Sequence, residues 1–389
     1  MSIGEEKLKD ILKESYWYYV RPDAIRALHN ETFRKTLSWY YAILLDDYPA
    51  KFHIAKAVEI PRDVGNINSL DIDSLVGVHR DAGKIFTSLW QEVRKSGIGF
   101  REFKKKYGES TPNLLDLETK IAFKILKSCR FCEWRCGIDR SEGRRGFCRL
   151  DSRSYVHSWF LHIGEEAPLV PSGTIFYGSC NFRCVFCQNW DISQENPFNG
   201  IEVSSHQLAL MQKDLRRKGA RNINHVGGDP TPDIHNILDS MRFLDVNVPQ
   251  LWNSNFYMSE EALNLLIYVI DIWLPDFKYG NNSCAQRLSG IPKYLEVVGR
   301  NHRIAIEWGD MIIRHLVLPN HVECCSKPVL RWIAENLPKD RVLVNIMDQY
   351  RPEYKAHQYS DINRHVSSKE LEEVYEYADQ LELLWRDIS

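Results

Sequence analysis

Residues 173–190 read GTIFYGSCNFRCVFCQNW and place Cys180, Cys184 and Cys187 directly after an apolar run. That run, 174–177, has the residue types of a buried strand, so we expect the cysteines in the loop that follows it. Three thiolates are one fewer than the four that saturate a [4Fe-4S] cluster, so one iron would remain open to another ligand. An open coordination position is typical of a reactive metal centre.

The pattern after this loop predicts the fold. Further strands are predicted near 222–226, 250–254, 270–277, 312–318 and 342–347, and helices at 204–218, 231–244, 259–267, 282–298, 326–336 and 368–382. Six strands, each followed by a helix, predict a parallel sheet covered by helices. Because a closed (β/α)8 barrel needs two more units, we expect an α/β fold with a partial (β/α)6 barrel.

Polar residues recur where these strands end, which is where active sites form in such folds. They are Gly227, Gly228 and Asp229 after the second strand, Ser254 and Asn255 after the third, Asp276 and Lys278 after the fourth, Arg314 and His315 in the fifth, and Asp348 and Gln349 after the sixth. Any one of them could be a turn or capping residue. Together they predict one lined cavity.

A second cysteine cluster lies upstream, at Cys129, Cys132, Cys136 and Cys148. Four thiolates form a closed set, which suits either structural Zn²⁺ or a saturated iron–sulfur cluster. Three close cysteines with a distant fourth favour the cluster over the paired spacing of a zinc ribbon. Such a centre could relay electrons to the first one or hold a lid over the cavity.

Six arginines accompany this cluster: Arg130, Arg135, Arg140, Arg144, Arg145 and Arg149. We interpret them as charge balance for neighbouring thiolates in preference to a nucleic-acid surface. Docking of an acidic protein partner or reductant is the alternative. The formal net charge of −2 also argues against a nucleic-acid partner.

Composition indicates an ordinary globular protein, with 44% hydrophobic and 26% charged residues among 389. The longest apolar stretch, 265–277, is interrupted by acids and is too short to cross a bilayer. Seven of the ten cysteines are clustered, which indicates metal ligands in a reducing compartment, and we expect a cytoplasmic protein. Cys284 and the adjacent Cys324 and Cys325 have no recognisable spacing and are interpreted as ordinary buried cysteines.

Three regions are expected along the chain. Residues 1–120 form a mainly helical domain whose aromatic runs at 16–19 and 39–41 build its core. Residues 121–170 form the connector with four cysteines. Residues 171–389 form the partial barrel.

The motif Cys-x3-Cys-x-aromatic-Cys after the first of six βα units is identified as the signature of radical S-adenosylmethionine (radical SAM) enzymes. The longer runs HIGEEAPLVPSGTIFYGSCNFRCVFCQNWDISQ, INHVGGDPTP, LWNSN, LPDFKYG and NIMDQYRP resemble the PflX-like branch, related to the activating enzymes of pyruvate formate-lyase. The resemblance covers roughly residues 125–355.

This resemblance implies that S-adenosylmethionine chelates the open iron of a [4Fe-4S] cluster held by Cys180, Cys184 and Cys187. Reductive cleavage yields a 5′-deoxyadenosyl radical that abstracts hydrogen from a protein or small-molecule substrate, in a reaction similar to that of glycyl-radical activases. It also implies an electron donor such as flavodoxin or ferredoxin.

The resemblance further assigns cofactor-binding roles. It implies that Phe186 lies near the adenine and that Gly227, Gly228 and Asp229 form a GGE-type motif for the amino group, with Asp in place of the usual Glu. Ser254 and Asn255 are expected near the ribose and carboxylate, and Asp276 and Lys278 form an Asp-x-Lys pair. Arg314 is a weaker candidate for the carboxylate, and Gln349 is suggested by its position. Arg314 could instead pair with a neighbouring acid.

Two other classes of protein remain alternatives. An iron–sulfur electron-transfer or scaffold protein without S-adenosylmethionine chemistry has no use for a polar cavity at the strand ends. A zinc-binding interaction module does not explain a three-cysteine loop that lacks an evident fourth ligand.

Overall fold

The computed structural model describes residues 19–60, 67 and 69–388. Tyr16, Trp17 and Tyr18 of the first aromatic run therefore lie outside the described residues. The described part contains one eight-stranded sheet, in the order β3-β1-β2-β4-β5-β6-β7-β8. The strands are β1 Ser154–His162, β2 Ser172–Tyr177, β3 Ile201–Val203, β4 Ile223–Gly227, β5 Gln250–Ser254, β6 Ile272–Pro275, β7 Asp310–Leu316 and β8 Val342–Met347.

Six of these strands are parallel and follow one another in space as they do in the chain. The pairs β2–β4, β4–β5, β5–β6, β6–β7 and β7–β8 are all parallel. The described sheet ends at β3 on one side and at β8 on the other, so it is not closed. The prediction of a partial (β/α)6 barrel is confirmed.

Two strands were not predicted. β1 pairs antiparallel with β2, and β3 pairs antiparallel with β1. β1 lies inside the segment interpreted as a connector. Neither strand belongs to a β-then-α repeat, so the alternation that revealed the other six did not reveal these two. They extend the sheet beyond β2.

The barrel helices lie close to their predicted positions, with one exception, and the described amino-terminal part is mainly helical. In the amino-terminal part they are α1 Pro22–His29, α2 Glu31–Thr36, α3 Ser38–Leu44, α4 Lys51–Ala57, α5 Ile72–Ser96, α6 Phe100–Tyr107 and α7 Leu114–Leu126. In the barrel they are α8 Ser205–Arg217, α9 Ile234–Met241, α10 Glu260–Leu266, α11 Asn282–Ser289, α12 Tyr294–Ala305, α13 Lys327–Asn336 and α14 Ser368–Gln380.

One predicted helix, 282–298, is wrong, because the segment forms two helices, α11 and α12. The break follows Gly290, which caps α11 in the left-handed region at φ 71°. Pro292 then lacks the backbone N–H that a continuing helix requires.

The amino-terminal helices pack against the amino-terminal ends of the barrel strands. Leu37 and Tyr40 share one buried cluster with Leu251, Ile272 and Ile312, which belong to β5, β6 and β7. This cluster joins helix α3 to the sheet, so the helical segment and the barrel bury apolar surface together.

Buried polar contacts reinforce that junction. Trp39 Nε1 donates to Asp271 Oδ1 at 2.9 Å, and Lys51 Nζ donates to the carbonyl oxygens of Ile267 and Ile270 at 3.0 and 2.9 Å. These acceptors immediately precede β6. The polar groups of Lys51 and Asp271 are therefore satisfied within the interior. Among the described residues, no helix is both long enough and apolar enough to cross a bilayer.

Candidate active site at the carboxyl ends of the strands

A cavity of about 370 Å³ opens at the carboxyl-terminal ends of the parallel strands. Residues from all six parallel strands or from the loops after them contribute to its wall. Those named in the sequence analysis are Cys180, Cys184, Phe186, Cys187, Gly227, Gly228, Ser254, Asn255, Asp276, Lys278, Arg314 and Gln349. Three polar residues predicted for this end of the barrel, Asp229, His315 and Asp348, do not line the cavity.

The three thiols of the loop face this cavity from a largely buried position. Cys180 and Cys184 are buried and Cys187 is half-buried. Cys180 Sγ accepts from Phe182 N at 3.3 Å, and Ser289 Oγ lies 3.0 Å from Cys184 Sγ. Backbone and hydroxyl donors of this kind stabilise thiolate ligands and orient them.

The spacing of these thiols suits a cluster better than a single ion. Within the described residues, three or more His, Cys, Asp or Glu ligand atoms lie within 4.8 Å of one another only in a different group, which contains Cys284. The three loop thiols are not among them. Ligands of a [4Fe-4S] cluster bind separate irons and do not have to converge on one point, so thiols outside a single-ion group are compatible with that cofactor.

The donor set also needs a positive charge. Burial raises the pKa of the Cys184 thiol to about 12 and raises those of Cys180 and Cys187 as well, and neighbouring thiolates add to the effect at Cys180 and Cys184. Without a cation these thiols remain protonated near neutral pH. Bound iron supplies the charge that makes them thiolate ligands.

Gly227 and Gly228 allow the strand end to approach the cysteine loop. A Cβ atom on Gly227 would lie 2.2 Å from the backbone N of Tyr177, and one on Gly228 would lie 1.6 Å from the carbonyl oxygen of Ser179. Gly227 also has φ of 128°. The two glycines are therefore required by the contact between backbones, which seats the loop against β4.

Asp229 does not line the cavity, which corrects the expectation that its side chain faces the ligand. Its Oδ1 accepts from Thr231 N and its Oδ2 accepts from Asn255 N, both at 2.9 Å. The short side chain reaches these amides instead of the cavity. Burial raises the pKa of Asp229 to about 6. Asp229 thus couples the loop after β4 to the end of β5.

Asn255 connects the end of β5 to the cysteine loop. Its Nδ2 donates to Asn181 Oδ1 at 2.6 Å and lies 3.6 Å from Cys180 Sγ. Ser254 Oγ accepts from Phe256 N at 3.2 Å. Both side chains border the cavity, but each already has a structural partner.

Asp276 and Lys278 form an ion pair on the cavity wall. Burial opposes the charged form of Lys278, but Asp276 and the nearby Cys184 outweigh it and raise the pKa of Lys278. Lys278 therefore holds a positive charge beside the cysteine loop. This pair is the main charged feature from β6 at the site.

Arg314 pairs with acids, as the second interpretation of this residue suggested. Its Nε donates to Glu166 Oε1 at 2.7 Å, and its Nη2 donates to Glu165 Oε2. Both glutamates are buried and come from the loop between β1 and β2. Burial opposes the charged form of Glu165, but Arg314 and His162 outweigh it and lower the pKa of Glu165.

These glutamates belong to a polar layer in the barrel that the sequence analysis missed. Asn224 Nδ2 donates to Glu165 at 2.9 Å, and Asn345 Nδ2 donates to Glu166 at 2.7 Å. The sequence signal for this layer was the run HIGEEAP, because two adjacent acids are unusual in a loop that is buried. Nothing in its spacing indicated that both side chains point into the barrel.

Three further residues complete the wall. Phe186 is buried, with its ring centre 5.7 Å from that of Tyr350 in an edge contact. The backbone carbonyl oxygen of Gln349 accepts from Gln188 Nε2 at 3.2 Å. Asn253, which was not predicted, lines the cavity with an Nδ2 that lacks a hydrogen-bond partner among the described residues. An unpaired buried donor in a cavity wall is typical of a ligand contact.

The four upstream cysteines lie near one another and against the loop. Burial raises the pKa of the Cys132 thiol well above its usual range, and Cys148, Cys129 and Cys136 add to this. The backbone oxygen of Cys148 accepts from Ser179 Oγ, next to Cys180.

The arginines around these cysteines have varied partners. Buried Arg140 donates to the carbonyl of Asp151 at 2.7 Å and reaches Cys129 Sγ at 3.8 Å. Arg135 instead pairs with Glu261, and Arg149 donates to the carbonyl of Ser193. Arg140 therefore balances the charge of the thiolates directly, whereas Arg135 and Arg149 hold neighbouring segments in place.

Of Cys284, Cys324 and Cys325, which were interpreted as ordinary buried cysteines, only Cys325 is buried, and none of the three is isolated. Cys284 is half-buried and Cys324 is exposed, and both lie with Cys325 and His321 in one compact group. Forty residues of sequence separation between Cys284 and Cys324 hid this arrangement, because only the fold brings the two segments together.

The open sheet and its cysteine-lined cavity define a radical SAM-type enzyme, and comparison with known proteins agrees. The family model of the radical SAM superfamily matches residues 174–331. A protein of Methanocaldococcus jannaschii, the uncharacterized protein MJ0674, is 44% identical over 352 residues, which cover 89% of this chain and 98% of the relative. The chain belongs to the radical SAM superfamily.

Other similarities are more distant. The uncharacterized protein MJ0808 of the same organism is 24% identical over 253 residues, covering 58% of this chain and 71% of that protein. Among solved structures, Streptococcus suis SuiB bound to the precursor peptide SuiA has a TM-score of 0.39 at 14% identity, covering 53% of this chain and 46% of SuiB. This chain thus spans less than half of that structure.

A structure of TYW1 with a lysine-pyruvate adduct bound has a TM-score of 0.34 at 13% identity, covering 53% of this chain and 73% of that one. Enzymes of the radical SAM superfamily use a [4Fe-4S] cluster and S-adenosylmethionine and need an external electron donor. The protein is accordingly an enzyme of SAM-dependent radical chemistry with these two cofactors.

Proposed function

We propose that Cys180, Cys184 and Cys187 hold the [4Fe-4S] cluster and that S-adenosylmethionine occupies the adjoining cavity. The observation that carries this proposal is the convergence of three thiols, two of them buried, and of residues from all six parallel strands or the loops after them on one cavity of about 370 Å³. An electron carrier has no need of such a cavity. When bound, the cluster and S-adenosylmethionine supply one electron and a 5′-deoxyadenosyl radical.

The residues of the wall bind and orient the cofactor. Asn253 Nδ2 is a free donor for a carboxylate or hydroxyl oxygen of the ligand. Lys278 places positive charge beside the same space, and Phe186 offers an apolar face for the adenine. Gly227 and Gly228 border the cavity, and their backbone would provide the part of the amino-group contact that the motif makes without the Asp229 side chain.

Arg314 has a positioning role rather than a contact to the ligand carboxylate. Its guanidinium already binds Glu165 and Glu166. This ion-paired layer forms the floor of the cavity and keeps its wall rigid.

The upstream cysteines, on this proposal, hold a second iron–sulfur cluster that passes electrons to the first. Their segment packs directly on the loop, since Trp134 Nε1 donates to the carbonyl of Asn181 at 2.9 Å. Zinc at these cysteines is the alternative. We expect flavodoxin or ferredoxin as donor and keep the cytoplasm as the expected location, because clustered thiols persist in reducing compartments.

The reaction is proposed to be hydrogen abstraction of the type carried out by activating enzymes of glycyl-radical proteins. This finer assignment, and membership of the PflX-like branch, rest on the resemblance of the motifs. An exposed aromatic wall adjoins the cavity, where Phe160 of β1 stacks on Phe176 with 5.6 Å between ring centres. Such a wall suits a substrate with an apolar side chain, whether a polypeptide or a small molecule.

One experiment tests the core of this proposal. The full chain is purified without oxygen, reconstituted with iron and sulfide, and mixed with dithionite and S-adenosylmethionine, and 5′-deoxyadenosine is measured by mass spectrometry. We expect product from the unchanged protein and a loss of at least a hundredfold in Cys184→Ala. Absence of product from protein with a fully loaded loop cluster would overturn the proposal.

Val185→Ala is the matched control. Val185 lies between Cys184 and Phe186, is half-buried, and does not border the cavity. This variant removes a similar volume from the same loop and should keep product formation. Equal losses in both variants would mean that loop packing, rather than the thiolate, determines activity.

A further inference from the structure

Cys284, His321, Cys324 and Cys325 form a compact set of ligand atoms outside the lining of the active-site cavity. Cys284 lies in the first turn of α11, and the other three lie in the turn between β7 and α13. All four ligand atoms lie within 4.8 Å of one another. No other group of three or more such residues in the described chain has this spacing.

The distances are those of a tetrahedron. Cys324 Sγ lies 4.0 Å from Cys284 Sγ and 3.9 Å from Cys325 Sγ. Nδ1 of His321 lies 3.7 Å from Cys284 Sγ, 3.3 Å from Cys324 Sγ and 3.6 Å from Cys325 Sγ. With Zn–S bonds of about 2.3 Å and a Zn–N bond of about 2.0 Å, tetrahedral ligands stand about 3.8 Å (S to S) and about 3.5 Å (S to N) apart.

We propose that these four residues bind one Zn²⁺ ion in a closed Cys3His site. Two alternatives fit less well. A disulfide requires sulfurs about 2.0 Å apart, and these are separated by roughly twice that distance. A [4Fe-4S] cluster needs thiolates on separate irons, whereas these ligand atoms converge on one point. Three thiolates and an imidazole around a tetrahedron are the donors that zinc prefers.

The surroundings of His321 support a metal at Nδ1. Its Nε2 lies 3.0 Å from Asp361 Oδ2, and Arg287, whose Nη2 is 3.3 Å from the same nitrogen, forms an ion pair with that carboxylate. When Nε2–H donates to the carboxylate, the guanidinium pairs with the carboxylate alone and Nδ1 is free as a ligand. Carboxylate–histidine pairs of this kind are the usual second layer of zinc sites.

Two neighbouring residues hold the thiols in place. Asn281 Nδ2 lies 3.3 Å from Cys284 Sγ and donates to the carbonyl of Cys324 at 2.8 Å. A Cβ atom on Gly280 would lie 2.7 Å from that same carbonyl oxygen. The segment 280–284 is thus fitted closely to the turn that carries the other ligands.

The site is a structural staple near the active site. It joins α11 to the turn after β7, and Asp361 adds the segment that precedes α14. At the other end of α11, Ser289 Oγ lies 3.0 Å from Cys184 Sγ of the loop. Zinc therefore fixes a helix that contacts a proposed cluster ligand. With all four positions filled by protein, the ion has no open site for chemistry.

Zinc K-edge X-ray absorption on the unchanged full chain tests this site without any variant. We expect a first shell of three sulfurs and one nitrogen, with Zn–S distances of about 2.3 Å. A shell of four sulfurs would place zinc at the upstream cysteines and overturn the proposal. So would protein that takes up no zinc after dialysis against a zinc buffer.

Variants provide an independent test by metal analysis. Cys284→Ser with Cys325→Ser should lose about one zinc per chain while iron stays unchanged, and Ser283→Ala, an exposed neighbour on α11, should lose none. Asp361→Ala keeps all four ligands and should lower zinc affinity about 10- to 100-fold. Loss of iron in place of zinc in the double variant overturns the zinc assignment. These readouts do not depend on 5′-deoxyadenosine formation.

Discussion

Arg314 Nε donates to Glu166 Oε1 at 2.7 Å and so ties β7 to the loop between β1 and β2 across the barrel interior. Asn345 Nδ2 donates to the same oxygen at 2.7 Å, which adds β8 to the contact. One buried carboxylate therefore fixes the relative position of three segments beneath the cavity.

Arg314→Ala should lower the free energy of unfolding by about 3–5 kcal/mol, because it leaves two buried carboxylates without their cation. Arg314→Lys should recover only part of this loss, because its ammonium restores the positive charge but lacks the planar fork that binds both acids. Thermal unfolding monitored by circular dichroism measures both. Arg217→Ala, which breaks the exposed Arg217–Asp214 pair, should change the free energy by less than about 0.5 kcal/mol. A similar effect from both alanine variants would contradict a special role for the buried pair.

Gly228→Ala should displace the cysteine loop, because its Cβ would overlap the carbonyl oxygen of Ser179. We expect less iron bound at the loop and at least a tenfold loss of 5′-deoxyadenosine formation. Iron analysis and the product assay measure these changes. Gly77→Ala is the control, since Gly77 lies in α5 with nothing within 4 Å of the added carbon, and it should stabilise the fold by about 0.5–1 kcal/mol. Full iron loading in Gly228→Ala would show that the loop tolerates the shift.

Glu118→Gln should stabilise the protein at high pH. Burial raises the pKa of Glu118 well above its usual range, and neither carboxylate oxygen has a hydrogen-bond partner in the described part of the chain. Because the folded pKa exceeds the unfolded value of about 4.3, this group's contribution to stability is complete below that pH. It is lost as the pH rises through the folded pKa.

The variant should therefore be more stable than the unchanged protein by about 1 kcal/mol at pH 8, with little difference near pH 4. Urea unfolding at the two pH values gives the comparison. Glu102→Gln, an exposed carboxylate on α6, should shift neither value by more than about 0.5 kcal/mol. Destabilisation of Glu118→Gln at pH 8 would indicate a charged pair with His79, whose Nε2 lies 3.6 Å away.

Phe186→Leu should weaken binding of S-adenosylmethionine about tenfold, because an aliphatic side chain lacks the flat face that packs on an adenine. Calorimetric titration of the iron-loaded protein measures the Kd. Phe123→Leu, an exposed position on α7, should leave the Kd unchanged. An unaltered Kd in Phe186→Leu would mean that Phe186 only packs against Tyr350.

The regular part of this structure could be predicted from the sequence because each βα unit carries its own periodicity. Strand β5 occupies 250–254 and β8 occupies 342–347, as predicted. Strands β1 and β3, which extend the sheet beyond β2, were not predicted because their pairing is antiparallel and lies outside the βα repeat. The polar residues at the strand ends could be predicted as a set, since parallel strands all end at one edge of a sheet.

Other features depend on side-chain direction or long-range contact. Asp229 follows the strand where a ligand contact was expected, yet its carboxylate turns to backbone amides. His321 meets Cys284 only because α11 and the turn after β7 lie side by side. Neither relation has a local pattern in the chain, so spacing alone gives no sign of it.

Helix α3 sits at the amino-terminal ends of the strands, where Tyr40 N donates to Asp310 at 2.8 Å and Tyr40 Oη donates to the carbonyl of Pro168 at 3.2 Å. Helix α3 therefore covers that end of the barrel. The cavity lies at the opposite end, beside the cysteine loop. If cofactor and substrate both enter there, as we propose, S-adenosylmethionine has to bind before a bulky substrate does.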